Sequence, residues 1–212
     1  MKDSVIKSLY NKQIKPNLAT TDWTYKNQLI LIKGDEKDSL LRGICFNSSA
    51  FSGDQFEIRV FVQPLYVPSD FIILTFGEVL KNNNIQWWHF DENNKENIGK
   101  DIASKINLAY DQFLSNISDA TSFYNWYKKD RTKSVNHFAA VAYSSCYANL
   151  PNCLEILLEC LSFISKSEDF KKKWCIDLYR QSNELVQYLQ KNGNAKEIME
   201  NWVSATRKAL KV

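Results

Sequence analysis

Few residues in this chain are of types that could do chemistry, and their spacing narrows the choice further. There are two histidines. His89 follows Trp87-Trp88, and His137 opens a helical stretch with no Cys, Asp or Glu around it at metal-ligand spacing, which makes it an ordinary surface or capping residue. The five cysteines, Cys45, Cys146, Cys153, Cys160 and Cys175, contain no CxxC pair, and four fall inside helical patterns. They read as buried thiols in a reducing compartment. No GxSxG, HExxH, P-loop or dinucleotide glycine pattern occurs, so nucleophilic, zinc and phosphate chemistry all lack their usual carriers. We therefore expect no catalytic centre, no cofactor and no metal. Paired acids have no diagnostic spacing in sequence, so a carboxylate-dependent enzyme stands as an alternative, with Glu57 its first candidate.

Residues suited to recognition are easier to find. In QFEIRVFVQP the apolar Phe56, Ile58, Val60 and Val62 alternate with Glu57, Arg59 and Gln63, the period of two of a half-buried strand, and only Phe61 breaks the polar side. Glu57, Arg59, Phe61 and Gln63 would form a mixed charged and aromatic strip, which suits a protein surface better than a polyanion. The competing reading is that C-terminal helices cover this face. Trp87-Trp88-His89-Phe90 is the densest aromatic cluster. In a strand Trp87 and Trp88 point to opposite faces, one into the core and the other near the edge. Phe123 to Tyr127, followed by Lys128-Lys129-Asp130-Arg131, has the ingredients of single-stranded nucleic-acid binding, but a helix spreads them round its circumference and leaves no continuous groove. Lys171-Lys172-Lys173 is a solvated helix face.

These residues need a scaffold, and the hydrophobic pattern supplies one. Residues 4–14 make a helical stripe capped by Asp3 or Ser4 and stopped at Lys15-Pro16. Residues 23–33 read as a strand ended by Gly34-Asp35-Glu36, residues 40–47 as the next, and residues 55–76 as a hairpin-like pair whose second strand is 71–76, joined through the irregular 64–70 segment. A short strand follows at 85–90. At Asp91 the period changes to 3.6. Ile98, Ile102, Ile106, Phe113 and Ile117 form a long helical face, with Asn93, Asn94 and Asn97 as caps and Gly99 in the first turns where it costs least. Ser118-Asp119 opens another helix, which ends in the 128–133 stretch KKDRTK.

Beyond that stretch the chain reads as about four helices with turns of two to five residues, antiparallel neighbours of the bundle kind. An alanine- and serine-rich helix over 138–147 is followed by a leucine stripe over 154–164. A third helix uses Phe170, Trp174, Leu178 and Leu185 and ends at Asn192-Gly193, and a capping box Asn194-x-x-Glu197 leads into the last. The fold class is α+β: an antiparallel meander of four or five strands with helices on one face, followed by a C-terminal antiparallel helical part. The division is 1–133 and 134–212, with the second part either separate or packed as one unit with the first.

A chain of 212 residues with 44% hydrophobic residues can bury roughly 70% of its unfolded surface and needs no metal or disulfide to hold a core. A net charge of +3 is too small to imply a nucleic-acid or membrane partner. No signal-peptide or membrane-length apolar run appears, and the chain is expected in the cytosol.

The segments KSLYNKQIKPNL, LRGICFNSS, QFEIRVFVQP and NIGKDIASKINLAYDQFLSNI, in this order, resemble a group of small bacterial α+β domains of unassigned function. Members of that group and of similar folds turn up as immunity proteins in polymorphic toxin systems. The closing NWVSATRKALKV is similar to a C-terminal extension that some members carry. The resemblance implies a non-enzymatic protein-interaction module, in its sharpest form an inhibitor of a toxin, and brings no family active site with it. A nucleic-acid-binding domain is the rival from another class.

Overall fold

The computed structural model describes residues 2–20, 22–32, 38–129 and 134–212. The chain groups into two compact units, one of Met1–Gln63 with Ile73–Asn116 and the other of Pro64–Ile72 with Ile117–Val212. The division at 133 read from the sequence differs from this grouping, which places the helix after Asp119 and the 64–72 segment in the second unit. Residues 130–133 themselves lie outside the described residues, as do residue 21 and residues 33–37, where the strand stop expected at Gly34-Asp35-Glu36 falls.

The first unit is an antiparallel sheet of β1 (Trp23–Lys26), β2 (Leu29–Ile32), β3 (Leu40–Ser48), β4 (Gln55–Pro64), β5 (Gly77–Val79) and β6 (Trp87–His89). The first four are neighbours in chain order, and β5 and β6 share the outer edge of β4: β6 pairs with Gln55–Glu57 and β5 with Arg59–Phe61. Within the stretch 23–33 expected as a single strand, the described residues 23–32 thus hold two. Asn27 and Gln28, with φ of 46° and 64°, make a two-residue turn between Lys26 and its partner Leu29. Two left-handed residues in succession match the twist of a tight hairpin; Asn tolerates the conformation, whereas Gln gives no warning of it. The run 71–76 is also not a strand. Pairing with β4 starts only at Gly77, where a Cβ would stand 1.9 Å from the Val60 carbonyl oxygen. Only glycine lets the backbones approach so closely.

Alternation along β4 sends Phe56, Ile58, Val60 and Val62 to one face, all buried. Each such side chain contributes about 1.5–3 kcal/mol on leaving water. Helices α1 (Asp3–Leu9) and α2 (Lys95–Ala109) cover this face. Tyr10 donates its hydroxyl to the Trp23 carbonyl at 3.2 Å and stacks on Tyr25 at 5.4 Å, while Arg42 reaches the Leu114 carbonyl at 3.4 Å. The start of α1 is capped by Lys2 without a side-chain bond, not by Asp3 or Ser4, and residues Tyr10–Ile14 widen into a π turn. Gly99 proves to be a packing requirement rather than a tolerated weakness, because a Cβ there would meet the Gln13 Cβ at 2.2 Å.

The second unit comprises α3 (Ala120–Tyr127), α4 (Val135–Tyr147), α5 (Cys153–Lys166), α6 (Lys173–Asn192) and α7 (Lys196–Leu210), each packed on the next up to α6, with α7 returning to α4. The small residues of α4 permit this: Ala139, Ala140, Ala142, Ser144 and Ser145 are all buried. Tyr66, from the 64–72 segment, bonds to Ser144 Oγ at 2.9 Å and stacks on Tyr147 with ring centroids 4.5 Å apart. The segment read as a connection is therefore part of this core. His137 is buried against the Tyr127 ring, 4.5 Å away, and is not the surface residue expected. Asp119 and Ser122 form the capping box of α3. The box expected at Asn194 and Glu197 is absent, since Ala195 is the cap and Glu197 instead accepts from the Tyr188 hydroxyl at 2.9 Å. Phe170 lies in a separate short turn before α6, and Trp174 is exposed. None of the described helices is long and apolar enough to cross a membrane.

Candidate functional site

The second face of the sheet begins with Cys45 and Asn47 on β3 and with Gln55, Glu57, Arg59, Phe61 and Gln63 on β4, all at alternate positions. Glu57 is its centre. Its Oε1 accepts from Arg59 Nε and from Asn47 Nδ2, the latter at 3.4 Å, and its Oε2 accepts from Arg59 Nη2 at 3.3 Å and from Gln86 Nε2. Glu57 as a residue is 4% exposed, and Arg59 is half-buried beside it.

Burial pushes the Glu57 carboxyl upward, but the donors of Arg59, Gln86 and Asn47 and the guanidinium charge outweigh it and hold the group below the ordinary glutamate value. With both oxygens engaged by donors, Glu57 is an ionised anchor and is poorly placed to move a proton. It also helps burial raise the neighbouring Cys45 thiol, to about 11, against the opposing pull of Arg59. The anchor holds two side chains, Arg59 and Gln86, at the surface in one arrangement.

Trp87 stands across the ladder from Glu57 and is 41% exposed. The next pair along, Gln55 and His89, brings in a solvent-facing contact, His89 Nδ1 to Asp54 Oδ2 at 3.2 Å. The result is an aromatic ring across the ladder from a carboxylate that fixes a guanidinium and an amide.

Of the six residues singled out in the sequence, the structure brings Glu57, Arg59 and Trp87 together. Phe61 and Gln63 share their face but are buried, which corrects the expectation of a strip open along its whole length. The Phe61 ring lies over Gly43, within 3.1 Å of where a Cβ would be, and Gln63 Oε1 accepts from the Ile73 N–H at 2.9 Å. Trp88 pairs with Phe56 on the opposite, core face, and its indole donates to the Leu80 carbonyl at 2.9 Å. Asn47 and Gln86 were missed, because linking them to Glu57 requires the register of β3 and the path of the chain before β6. The aromatics of 123–127 form no open platform, since Phe123 and Tyr127 are buried.

Among the described residues no group of three or more His, Cys, Asp or Glu side chains stands close enough to hold a metal. A cavity of about 240 Å³ lies between α1 and the start of α2, lined by Ser8, Lys12, Phe90 and Lys95 among others. It is smaller than the usual cofactor pocket. Comparison with protein-family models, with curated proteins and with solved structures finds no match to this chain.

Proposed function

We propose that this chain is a non-enzymatic protein-interaction module that docks its partner on the patch of Arg59, Gln86 and Trp87 anchored by Glu57. The observation that carries the reading is the half-exposed Trp87 ring next to a carboxylate whose acceptors are all occupied by donors. An aromatic anchor flanked by preorganised polar groups binds at low entropic cost, because the side chains are already ordered. A proton-transfer site would need a carboxyl with a free lone pair.

In its sharpest form the partner is a toxin, and the chain is an immunity-type inhibitor working in the bacterial cytoplasm. The resemblance of the KSLYNKQIKPNL, LRGICFNSS and QFEIRVFVQP segments supports this form. The test is co-expression with the product of the neighbouring reading frame, followed by growth and binding measurements. Restored growth with the wild-type chain, and at least about tenfold weaker binding by Trp87→Ala, corresponding to 1.4 kcal/mol or more, is the expected result. A neighbouring product that is harmless alone overturns the immunity form, and unchanged affinity of Trp87→Ala and Arg59→Ala overturns the docking surface.

A further inference from the structure

The turn between α4 and α5 brings two thiols together. Asn149 takes a positive φ of 51°, and the Leu150 N–H donates to the Ser145 carbonyl at 2.9 Å, closing the chain tightly between the helices. Cys146, in the last turn of α4, is thereby folded onto Cys153, the first residue of α5. Cys146 Sγ lies 3.8 Å from the Cys153 carbonyl oxygen, which sets the two residues side by side at the turn. Both are free thiols.

The two sulfurs are unequal. Cys146 is wholly buried, whereas Cys153 keeps 7% of its surface open beside the exposed Pro151 and Asn152. Cys153 also sits at the start of a 14-residue helix whose cap, Asn152, supplies no side-chain bond, and the dipole of that helix favours a negative charge there. The neighbouring Cys146 side chain pulls the Cys153 thiol down to about 6, helped by the Leu154 N–H against the effect of burial; the same neighbour relation, with burial, holds Cys146 up. Cys153 is the more open and the more readily ionised of the two, and Cys146 is the more deeply hidden. This is the asymmetry of an attacking and a resolving thiol.

We propose that Cys146 and Cys153 are a redox-reactive pair that closes into a reversible disulfide, with Cys153 the sulfur that a hydroperoxide oxidises. The Cys153 thiolate attacks one oxygen of hydrogen peroxide; the S–O bond forms as the O–O bond breaks, and the departing hydroxide takes a proton to leave as water. The Cys146 thiol then attacks the sulfenic sulfur. The S–S bond forms as the S–O bond breaks, and the Cys146 proton leaves with the hydroxyl as a second water. Two thiols lose two electrons, peroxide gains them, and a small dithiol reverses the change by exchange. Burial raises the thiols of Cys45 and Cys160, to about 11 and about 12, and also that of Cys175, so none of these offers a comparable nucleophile.

The test treats the reduced, folded chain with equimolar hydrogen peroxide, counts thiols after denaturation and maps the peptides. Two of the five thiols should disappear together, reappear with dithiothreitol and be found as a Cys146–Cys153 cross-link. Cys146→Ser should leave a dimedone-reactive sulfenic acid on Cys153, whereas Cys160→Ser should oxidise as the wild type does. In the unsubstituted chain, iodoacetamide near neutral pH should label Cys153 about tenfold or more faster than Cys160. Retention of all five thiols, a cross-link between another pair, or equal labelling of Cys153 and Cys160 overturns the proposal. It does not draw on the docking reading.

Discussion

Trp87 and Glu57 face each other across the ladder of β4 and β6, so that an exposed indole lies beside a carboxylate sunk into the sheet. The pairing gives the two residues separable roles. Glu57 organises the patch from beneath, and Trp87 presents it. Replacing Trp87 by Ala should change unfolding free energy by less than about 1 kcal/mol, because much of the ring is already in water, while partner affinity falls. Urea unfolding beside calorimetric binding separates the two. A large stability loss would mean that the indole is structural.

Glu57→Gln should destabilise the chain by about 1–3 kcal/mol, because the half-buried Arg59 guanidinium loses its counter-charge and Gln86 loses an ionised acceptor. The pH dependence has a definite sign. The folded carboxyl titrates below its unfolded value, so the unfolded state binds more protons in between. The contribution of Glu57 is complete above the ordinary glutamate value and is lost as the pH falls through the lower, folded one. Acid unfolding curves of wild type and Glu57→Gln should therefore converge at the acid end; parallel curves would contradict this account.

Buried tyrosines act at the opposite end of the scale. Burial raises the hydroxyls of Tyr66 and Tyr143 far above the ordinary tyrosine range. Folded protein then holds protons that the unfolded chain releases above about pH 10, so stability should fall as the pH rises through that value. Spectroscopic titration should show part of the ten tyrosines ionising only on unfolding. Tyr66→Phe removes the bond to Ser144, which still donates to the Ala140 carbonyl at 2.6 Å, and should cost about 1 kcal/mol.

Three glycines give a graded set. Gly77→Ala places a methyl 1.9 Å from the Val60 carbonyl oxygen and Gly99→Ala places one 2.2 Å from the Gln13 Cβ, so each should cost about 1–3 kcal/mol or more. Nothing lies within 4 Å of a Cβ at Gly53, and Gly53→Ala should stay within about 0.5 kcal/mol of wild type. Chemical denaturation midpoints with unchanged slopes would check all three.

The α+β class, the core face of β4 and the helical C-terminal part were legible in the residues themselves, because periods of two and 3.6 are local consequences of backbone geometry. Alternation alone sends Phe56, Ile58, Val60 and Val62 one way and Glu57 and Arg59 the other. The same local rule places Trp87 and Trp88 on opposite faces, although it does not say which of them is buried.

Tertiary structure decided whatever depends on partners distant in sequence. Asn47 and Gln86 meet Glu57 only through strand register. Phe61 is buried because its ring lies over Gly43, and Cys146 meets Cys153 only through the turn at Asn149. The two-residue turn at Asn27 and Gln28 is hidden because Gln has no left-handed preference of its own. Tyr66 belongs to the helical core although its own segment reads as a loop, since the Ser144 hydroxyl that fixes it lies 78 positions away. A residue type carries its own propensity and period, but burial and pairing belong to the neighbour that the fold brings to it.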